Sequence, residues 1–209
     1  MDIWKDIREQ LHNFNTNFEF LNNIGEVIKN YPNFNVDCLS KGQLASKIWA
    51  VQEIKNITKS PGNINLLCGW YAIIAEMLFE NLKVGIIRSY DLDPDCTSIA
   101  DELNISHVIN GWRFKSFVAD INSDLEYISV GTVINTSCEH VKSNQWFKNI
   151  PDGRLVVLQS NNGYDIADDH INCVDSVEEM KQKYKMSHIL YDGELDVINF
   201  KRFMLIGIK

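Results

Sequence analysis

The sequence predicts an α/β fold: a mostly parallel seven-stranded sheet with a C-terminal antiparallel hairpin, behind an N-terminal helical extension. Three observations lead there. From residue 63 onward, short apolar runs rich in Ile, Leu and Val alternate with helical patterns, the order of successive βαβ units. The run before Arg88-Ser89-Tyr90-Asp91 ends in an acid, as strands of such sheets do where they present a carboxylate to a nucleotide ribose. The last two runs are joined by a short polar loop around Asp196 and Asn199, too short for a helical crossover, so they pair antiparallel.

Taken in order, residues 2–30 carry Ile3, Ile7, Leu11, Phe14, Phe18, Leu21, Ile24 and Ile28 at helical spacing, which predicts one interrupted or two short amphipathic helices ended by Tyr31-Pro32. Ser40-Lys41-Gly42-Gln43 reads as a cap leading into a helix over 43–56, with Leu44, Ile48, Val51 and Ile54 on its buried face. Ser60-Pro61-Gly62 closes this helical cover, residues 1–60, and the sheet domain takes 61–209. Strands are expected at 63–68, 84–91, 113–119, 130–135, 154–159, 187–194 and 201–208. Helices are expected near 70–80, 94–104, 141–148 and 175–184.

A chain of 209 residues with 45% hydrophobic content suits one α/β domain with a substantial core. Its formal net charge of -8 argues against nucleic acid as a partner, since a phosphate backbone demands a basic face. Lys181 to Lys185 alternates with polar residues and reads as a solvated helix surface. The 5 cysteines make an odd count without a CxxC pair, which points away from a disulfide framework and toward a reducing, cytoplasmic setting. Met1-Asp2-Ile3-Trp4-Lys5-Asp6 lacks the apolar core of a signal peptide, and no stretch approaches the roughly 20 apolar residues of a membrane span.

Strand 63–68, a turn, helix 70–80, strand 84–91 and the acid Asp91 follow one another as in a Rossmann-type site. The alternative for Asp91 is a purely structural cap, and Asp93 either substitutes for it or caps the helix starting near Pro94. With Ala119-Asp120-Ile121, Ile134-Asn135-Thr136-Ser137-Cys138-Glu139-His140-Val141 and Ile150-Pro151-Asp152-Gly153 following in order, the chain resembles the class I S-adenosylmethionine-dependent methyltransferases over about residues 63 to 209. The resemblance implies S-adenosyl-L-methionine as cofactor. It implies that Asp91, with Leu92 beside it, accepts the ribose hydroxyls, that Asp120 and Ile121 meet the adenine, and that Asn135 lies along the cofactor. Asp120 has a structural alternative as the cap of the turn before Leu125.

The chain departs from the family at the first turn. Asn65-Leu66-Leu67-Cys68-Gly69-Trp70-Tyr71 keeps one glycine, puts a neutral amide at Asn65 in place of the family's acid, and sets Leu67 and Tyr71 where glycines are usual. Cys68, Gly69, Trp70 and Tyr71 are therefore expected to follow another path around the cofactor. Trp70 and Tyr71 either pack over cofactor and substrate or are core aromatics of the following helix.

For the chemistry, the loop after strand 130–135 faces the transferring group. His140 is the candidate general base and Glu139 its partner, and orientation or helix capping is the alternative role for the pair. Ser137, Cys138, Gln159 and Asn161 are candidate substrate contacts, the last two in a polar loop continuing to Asp165, Asp168, Asp169 and His170. A Cys138–His140 nucleophile is disfavoured because near neighbours in sequence do not generally bring their side chains together. Glu139, His140 and His170 match no strong ligand spacing, so no metal is expected. Gln43, Lys47 and Trp49 of the helical cover are candidates to reach inward, while Tyr191, Glu194 and Arg202 on the hairpin read mainly as edge residues. The expected activity is methyl transfer to a small molecule. The alternatives are another S-adenosylmethionine reaction, by aminocarboxypropyl transfer or cleavage, and a non-catalytic Rossmann-like binding subunit. A nicotinamide-dependent reductase would need the glycine-rich turn that is missing.

Overall fold

The computed structural model describes residues 18–123 and 131–209. The helical pattern set by Ile3, Ile7, Leu11 and Phe14, and the turn before Leu125, lie outside the described residues. The sheet has seven strands: β1 (Gly62–Leu67), β2 (Val84–Asp91), β3 (Phe114–Val118), β4 (Thr132–Asn135), β5 (Leu155–Asn161), β6 (His188–Val197) and β7 (Phe200–Ile208). Their order across the sheet is β3-β2-β1-β4-β5-β7-β6. The first five are parallel; β7 runs antiparallel to both β5 and β6, as the short loop between the last two strands requires.

Side chains alternate across the sheet and divide the core into two layers. Ile64, Leu66, Ile134, Val157, Met204 and Ile206 face α1 (Phe18–Asn30), α2 (Lys41–Ile57), α3 (Ile73–Asn81) and α4 (Pro94–Leu103). Leu67, Val133, Val156, Leu158, Phe203 and Leu205 face the other way. They meet Trp146 and Phe147 of the short helix α6 (Gln145–Asn149), and Val177 and Met180 of α7 (Val177–Lys183). A short α5 (Ile105–Ile109) follows α4.

Helix starts follow local chemistry. Ser40 Oγ accepts from Gln43 N–H and opens α2, with Lys41 already helical. Asp93 accepts from Asp95 N–H with Pro94 at the first helical position, so Asp93 is the cap of α4. Ser176 accepts from Glu179 N–H, and Glu179 reaches back to Asp175 N–H at the start of α7. Two helices are shorter than their sequence patterns. The helix expected from residue 70 begins at Ile73, because Cys68, Trp70 and Ala72 all take left-handed backbone conformations, with φ of 50°, 48° and 50°. The one expected from residue 141 begins at Gln145, because Asn172 Nδ2 donates to Val141 O at 2.7 Å and holds that segment extended.

The N-terminal helices share the core of the sheet, since one apolar cluster runs from Phe20 and Ile24 to Met204 and Ile206. A polar clamp fixes α2 against β5: Gln159, fully buried, accepts from Ser46 Oγ at 2.8 Å and donates to Ser46 O at 3.0 Å. Trp49 Nε1 donates to Tyr191 Oη at 3.0 Å and joins the same helix to β6. Substituting Gln159→Leu strands the buried Ser46 hydroxyl and is expected to cost about 1–3 kcal/mol, read as a lower urea midpoint, with part of the loss recovered by adding Ser46→Ala.

Candidate functional site

The parallel strands end together. Leu67 pairs in register with both Tyr90 of β2 and Asn135 of β4, so the loops after β1, β2 and β4 share the carboxyl edge of the sheet, where open α/β sheets bind ligands. The loop after β1 is tightly made. Gly69 N–H donates to Tyr90 O at 3.1 Å, and a Cβ on Gly69 would collide with Ser89 Oγ. Gly69 is thus required for close approach to β2, while the left-handed positions are held by Cys68, Trp70 and Ala72, which lack glycine's freedom.

Asp91 anchors that loop. Its Oδ2 accepts from Trp70 N–H at 2.8 Å and its Oδ1 from Asp93 N–H at 3.1 Å. Burial raises its pKa above the ordinary carboxylate value, and the N–H groups of Asp93 and Trp70 offset part of that rise. Each oxygen keeps a lone pair for a further donor. Leu92 follows with 72% exposure and offers an apolar surface beside the carboxylate. Asn135 ends β4 fully buried; its Oδ1 accepts from Ser137 N–H at 2.8 Å, and its Nδ2 has no partner among the described residues.

A second constellation lies over the ends of β4 and β5. The loop after β5 folds back onto the loop after β4, tied down by Asn172 and by Ile171 and Asn172 N–H groups donating to Glu139 O. Glu139 is buried, and its Oε1 accepts from Asn161 Nδ2 at 2.6 Å and from Arg202 Nη2 at 3.1 Å. Arg202 also donates from Nη1 to Thr136 O at 2.9 Å. Asn161 and Arg202 are direct partners in the β5–β7 pairing, so the ladder register delivers both to Glu139. His140 stands half-exposed beside it, with Nε2 4.0 Å from Glu139 Oε1 and Nδ1 2.9 Å from Asp169 Oδ2, too misaligned for a hydrogen bond. The His170 ring meets that of His140 edge-on at 4.8 Å, and His170 Nδ1 lies 2.6 Å from Gly163 O.

Several expected contacts are placed elsewhere. Tyr71 is a core aromatic: it stacks on Phe34 at 5.0 Å, and its hydroxyl accepts from Asn35 N–H. Ile121 is buried in the opposite core layer, and the exposed Asp120 accepts from Asn122 N–H as a turn cap. Cys138 is fully buried with its thiol pKa pushed well up by desolvation, the environment of a structural rather than a reactive cysteine. Gln159 is occupied by Ser46, and Asn161 serves Glu139. Trp49 faces Tyr191, and Glu194 forms an exposed ion pair with Lys201. Ser137 is half-buried at the mouth of the loop.

Arg202 is the residue the sequence reading misplaced, because the sheet order puts β7 between β5 and β6 rather than at an edge. Its signal in the sequence is a lone arginine abutting the apolar run Phe203-Met204-Leu205-Ile206. His170 could be grouped with Glu139 and His140 by residue type, but not by spacing, since a fold-back of the loop after β5 brings it to His140. Lys47 does reach inward. It is buried, donates to Gln43 Oε1 at 2.7 Å, and has its pKa lowered to about 8 by desolvation first and the Arg202 cation second.

The sheet is ordered β3-β2-β1-β4-β5-β7-β6, with only β7 antiparallel, and carries both constellations at its carboxyl edge. The fold is that of the Rossmann-like methyltransferases. A putative sarcosine dimethylglycine methyltransferase from Galdieria sulphuraria superposes with a TM-score of 0.63 at 10% identity, over 82% of this chain and 88% of that one. The N-methyltransferase NodS from Bradyrhizobium japonicum gives 0.59 at 7% identity, over 78% and 93%, and has also been solved with S-adenosyl-L-homocysteine. An S-adenosylmethionine-dependent methyltransferase from Clostridium acetobutylicum gives 0.59 at 12% identity, over 83% and 95%. No family sequence model and no curated protein matches the chain. Against this methyltransferase fold, the glycine-poor loop after β1 and the Glu139–His140–His170 cluster are features of this chain's own residues.

The buried lysine gives a pH dependence. The unfolded chain holds the Lys47 proton up to the ordinary 10.5, whereas the folded chain releases it at about 8. Between those values unfolding takes up a proton, so raising the pH stabilises the fold through this group, by up to about 3 kcal/mol. Lys47→Met is expected to remove that contribution, so the stability difference between variant and parent narrows as pH rises from 8 to 10.5, as measured by urea unfolding across that range.

Proposed function

We propose that this chain is an S-adenosylmethionine-dependent methyltransferase acting on a small, polar acceptor molecule. The observation that carries the reading is the pairing of two sites on one sheet edge. Asp91 stands at the end of β2, where a ribose would lie, and a cluster composed almost wholly of proton acceptors stands across it beyond β4. Asp91 would accept the ribose hydroxyls on the lone pairs its two backbone contacts leave free. Leu92 would lie against the nucleoside, Asn135 Nδ2 would donate to the cofactor, and the loop of Cys68, Gly69 and Trp70 would bound its methionine end.

In the reaction an acceptor lone pair attacks the methyl carbon as the carbon–sulfur bond breaks, turning the sulfonium into a neutral thioether; any proton on the acceptor leaves to a base or to water. Glu139, His140 and His170 are on the acceptor side. The net charge of -8 favours a small acceptor over a nucleic acid, whose phosphate backbone needs a basic face. Among the described residues no helix is long and apolar enough to cross a membrane, and the free thiols suit a reducing, cytoplasmic setting.

Calorimetry with S-adenosylmethionine, S-adenosylhomocysteine, NAD and NADP tests the cofactor, with binding of the first two alone expected. Asp91→Ala is expected to weaken that binding by about 1–3 kcal/mol while the protein stays folded. Undiminished binding would displace Asp91 from the cofactor site. His140→Ala is expected to lower turnover more than cofactor affinity; a variant whose sole defect is cofactor binding would move His140 to the wrong side of the pocket. Mass analysis of the product separates methyl from aminocarboxypropyl transfer.

A further inference from the structure

Sequence spacing alone gave no reason to expect a metal, yet the fold closes the interval between residues 140 and 170. One ligand atom each from Glu139, His140 and His170 lies within 4.8 Å of the other two. Two further observations make this more than proximity. Glu139 is 1% exposed, and with Oε1 taken by Asn161 and Arg202 its Oε2 has no hydrogen-bond partner among the described residues. A buried carboxylate oxygen without a partner is costly unless something fills the place.

The histidines are also oriented for it. A carbonyl oxygen can only accept, so His170 Nδ1 at 2.6 Å from Gly163 O carries the proton and leaves Nε2 with a lone pair. His140 Nδ1 lies 2.9 Å from the Asp169 carboxylate without a hydrogen bond to it, and His140 Nε2, 4.0 Å from Glu139 Oε1, is on the side of Glu139. His170 thus has its outer nitrogen held by an acceptor, the arrangement that readies histidine as a ligand, and His140 has a carboxylate beside its own.

We propose that Glu139, His140 and His170 bind a divalent first-row transition ion, of the manganese, iron, cobalt or zinc class. Two imidazoles and one carboxylate suit these ions better than magnesium or calcium, which prefer all-oxygen shells. Metal bonds of about 2.0–2.1 Å require the ligand atoms to close to about 3–3.5 Å from one another. The two imidazoles, both part-exposed, can make that movement, whereas Glu139 is fixed by Arg202 and Asn161. Three ligands leave coordination positions open toward solvent. On the methyltransferase reading, which places the acceptor here, those positions take an oxygen or nitrogen of the acceptor, and the ion lowers the pKa of that group. His140 is then a ligand that positions the acceptor, and the acceptor's proton passes to water.

The test uses the full chain without a histidine tag, stripped with a chelator and titrated with manganese or zinc chloride. One ion per chain is expected by calorimetry and elemental analysis, with a rise of several degrees in melting temperature. His170→Ala and His140→Ala are each expected to weaken binding at least tenfold, and His188→Ala, an exposed histidine elsewhere on the surface, to leave it unchanged. No stoichiometric binding, or binding equally strong in the His170→Ala and His140→Ala variants, would overturn the site. S-adenosylhomocysteine is titrated in parallel. Ion binding without it keeps the metal site and removes the methyltransferase reading, whereas its binding to a protein that takes no ion does the reverse.

Discussion

The buried pair of Arg202 and Glu139 is the constraint from which the open edge of the sheet takes its form. Both charges are removed from water, a large penalty, and each is therefore held by further hydrogen bonds: Arg202 to Thr136 O, Glu139 to Asn161. These contacts join β7, β5 and the loop after β4 at one point. They hold Glu139 by a single oxygen, and the other has no hydrogen-bond partner among the described residues, so the network that stabilises the loop also leaves a carboxylate oxygen unpaired there. Lys47 adds a second cationic group nearby, and the Arg202 charge contributes to holding its pKa down to about 8.

The loop after β1 solves a different problem. In a Rossmann-like sheet the chain must turn sharply out of β1 close to β2, and glycines normally make this easy. Here Asp91 does much of that work by receiving Trp70 N–H, and Gly69 is kept where a side chain would strike Ser89. Cys68, Trp70 and Ala72 accept left-handed conformations that cost about 1–2 kcal/mol each relative to their preferred backbone. Packing repays this: Tyr71 is driven into the core against Phe34, so the aromatic that replaces a glycine becomes an anchor between the loop and the N-terminal segment.

The two constellations are consequently unequal in character. Around Asp91 the backbone supplies donors and the surface is part apolar, through Leu92, as suits a nucleoside. Around Glu139 and His140 the unpaired groups are a carboxylate oxygen and imidazole nitrogens, and the loop after β5 folds over them through Asn172 and His170. That fold-back brings residues 139–140 and 169–170 together and gives the second constellation its chemistry.

The central strands β1, β4 and β5 were legible in the sequence because each carries a short apolar run bounded by polar turns, and β2 and β7 lie within a residue of where the pattern puts them. The same holds for α2 and α4, whose Ser40 and Asp93 caps are local interactions. The acid at the end of β2 and the Glu-His pair after β4 could be singled out because strand ends locate them. Local pattern could not show which way side chains turn or which distant segments meet. Tyr71, Cys138 and Gln159 read as pocket residues but are buried, since the pattern cannot tell a pocket wall from a core. Arg202 read as an edge charge until the sheet order placed β7 between two strands, and His170, set aside with Glu139 and His140 on spacing, meets His140 only because its loop closes on it. Secondary structure and strand ends follow from neighbours in sequence; the charge pair, the buried clamps and the histidine cluster follow from contacts across the chain, which only the tertiary fold specifies.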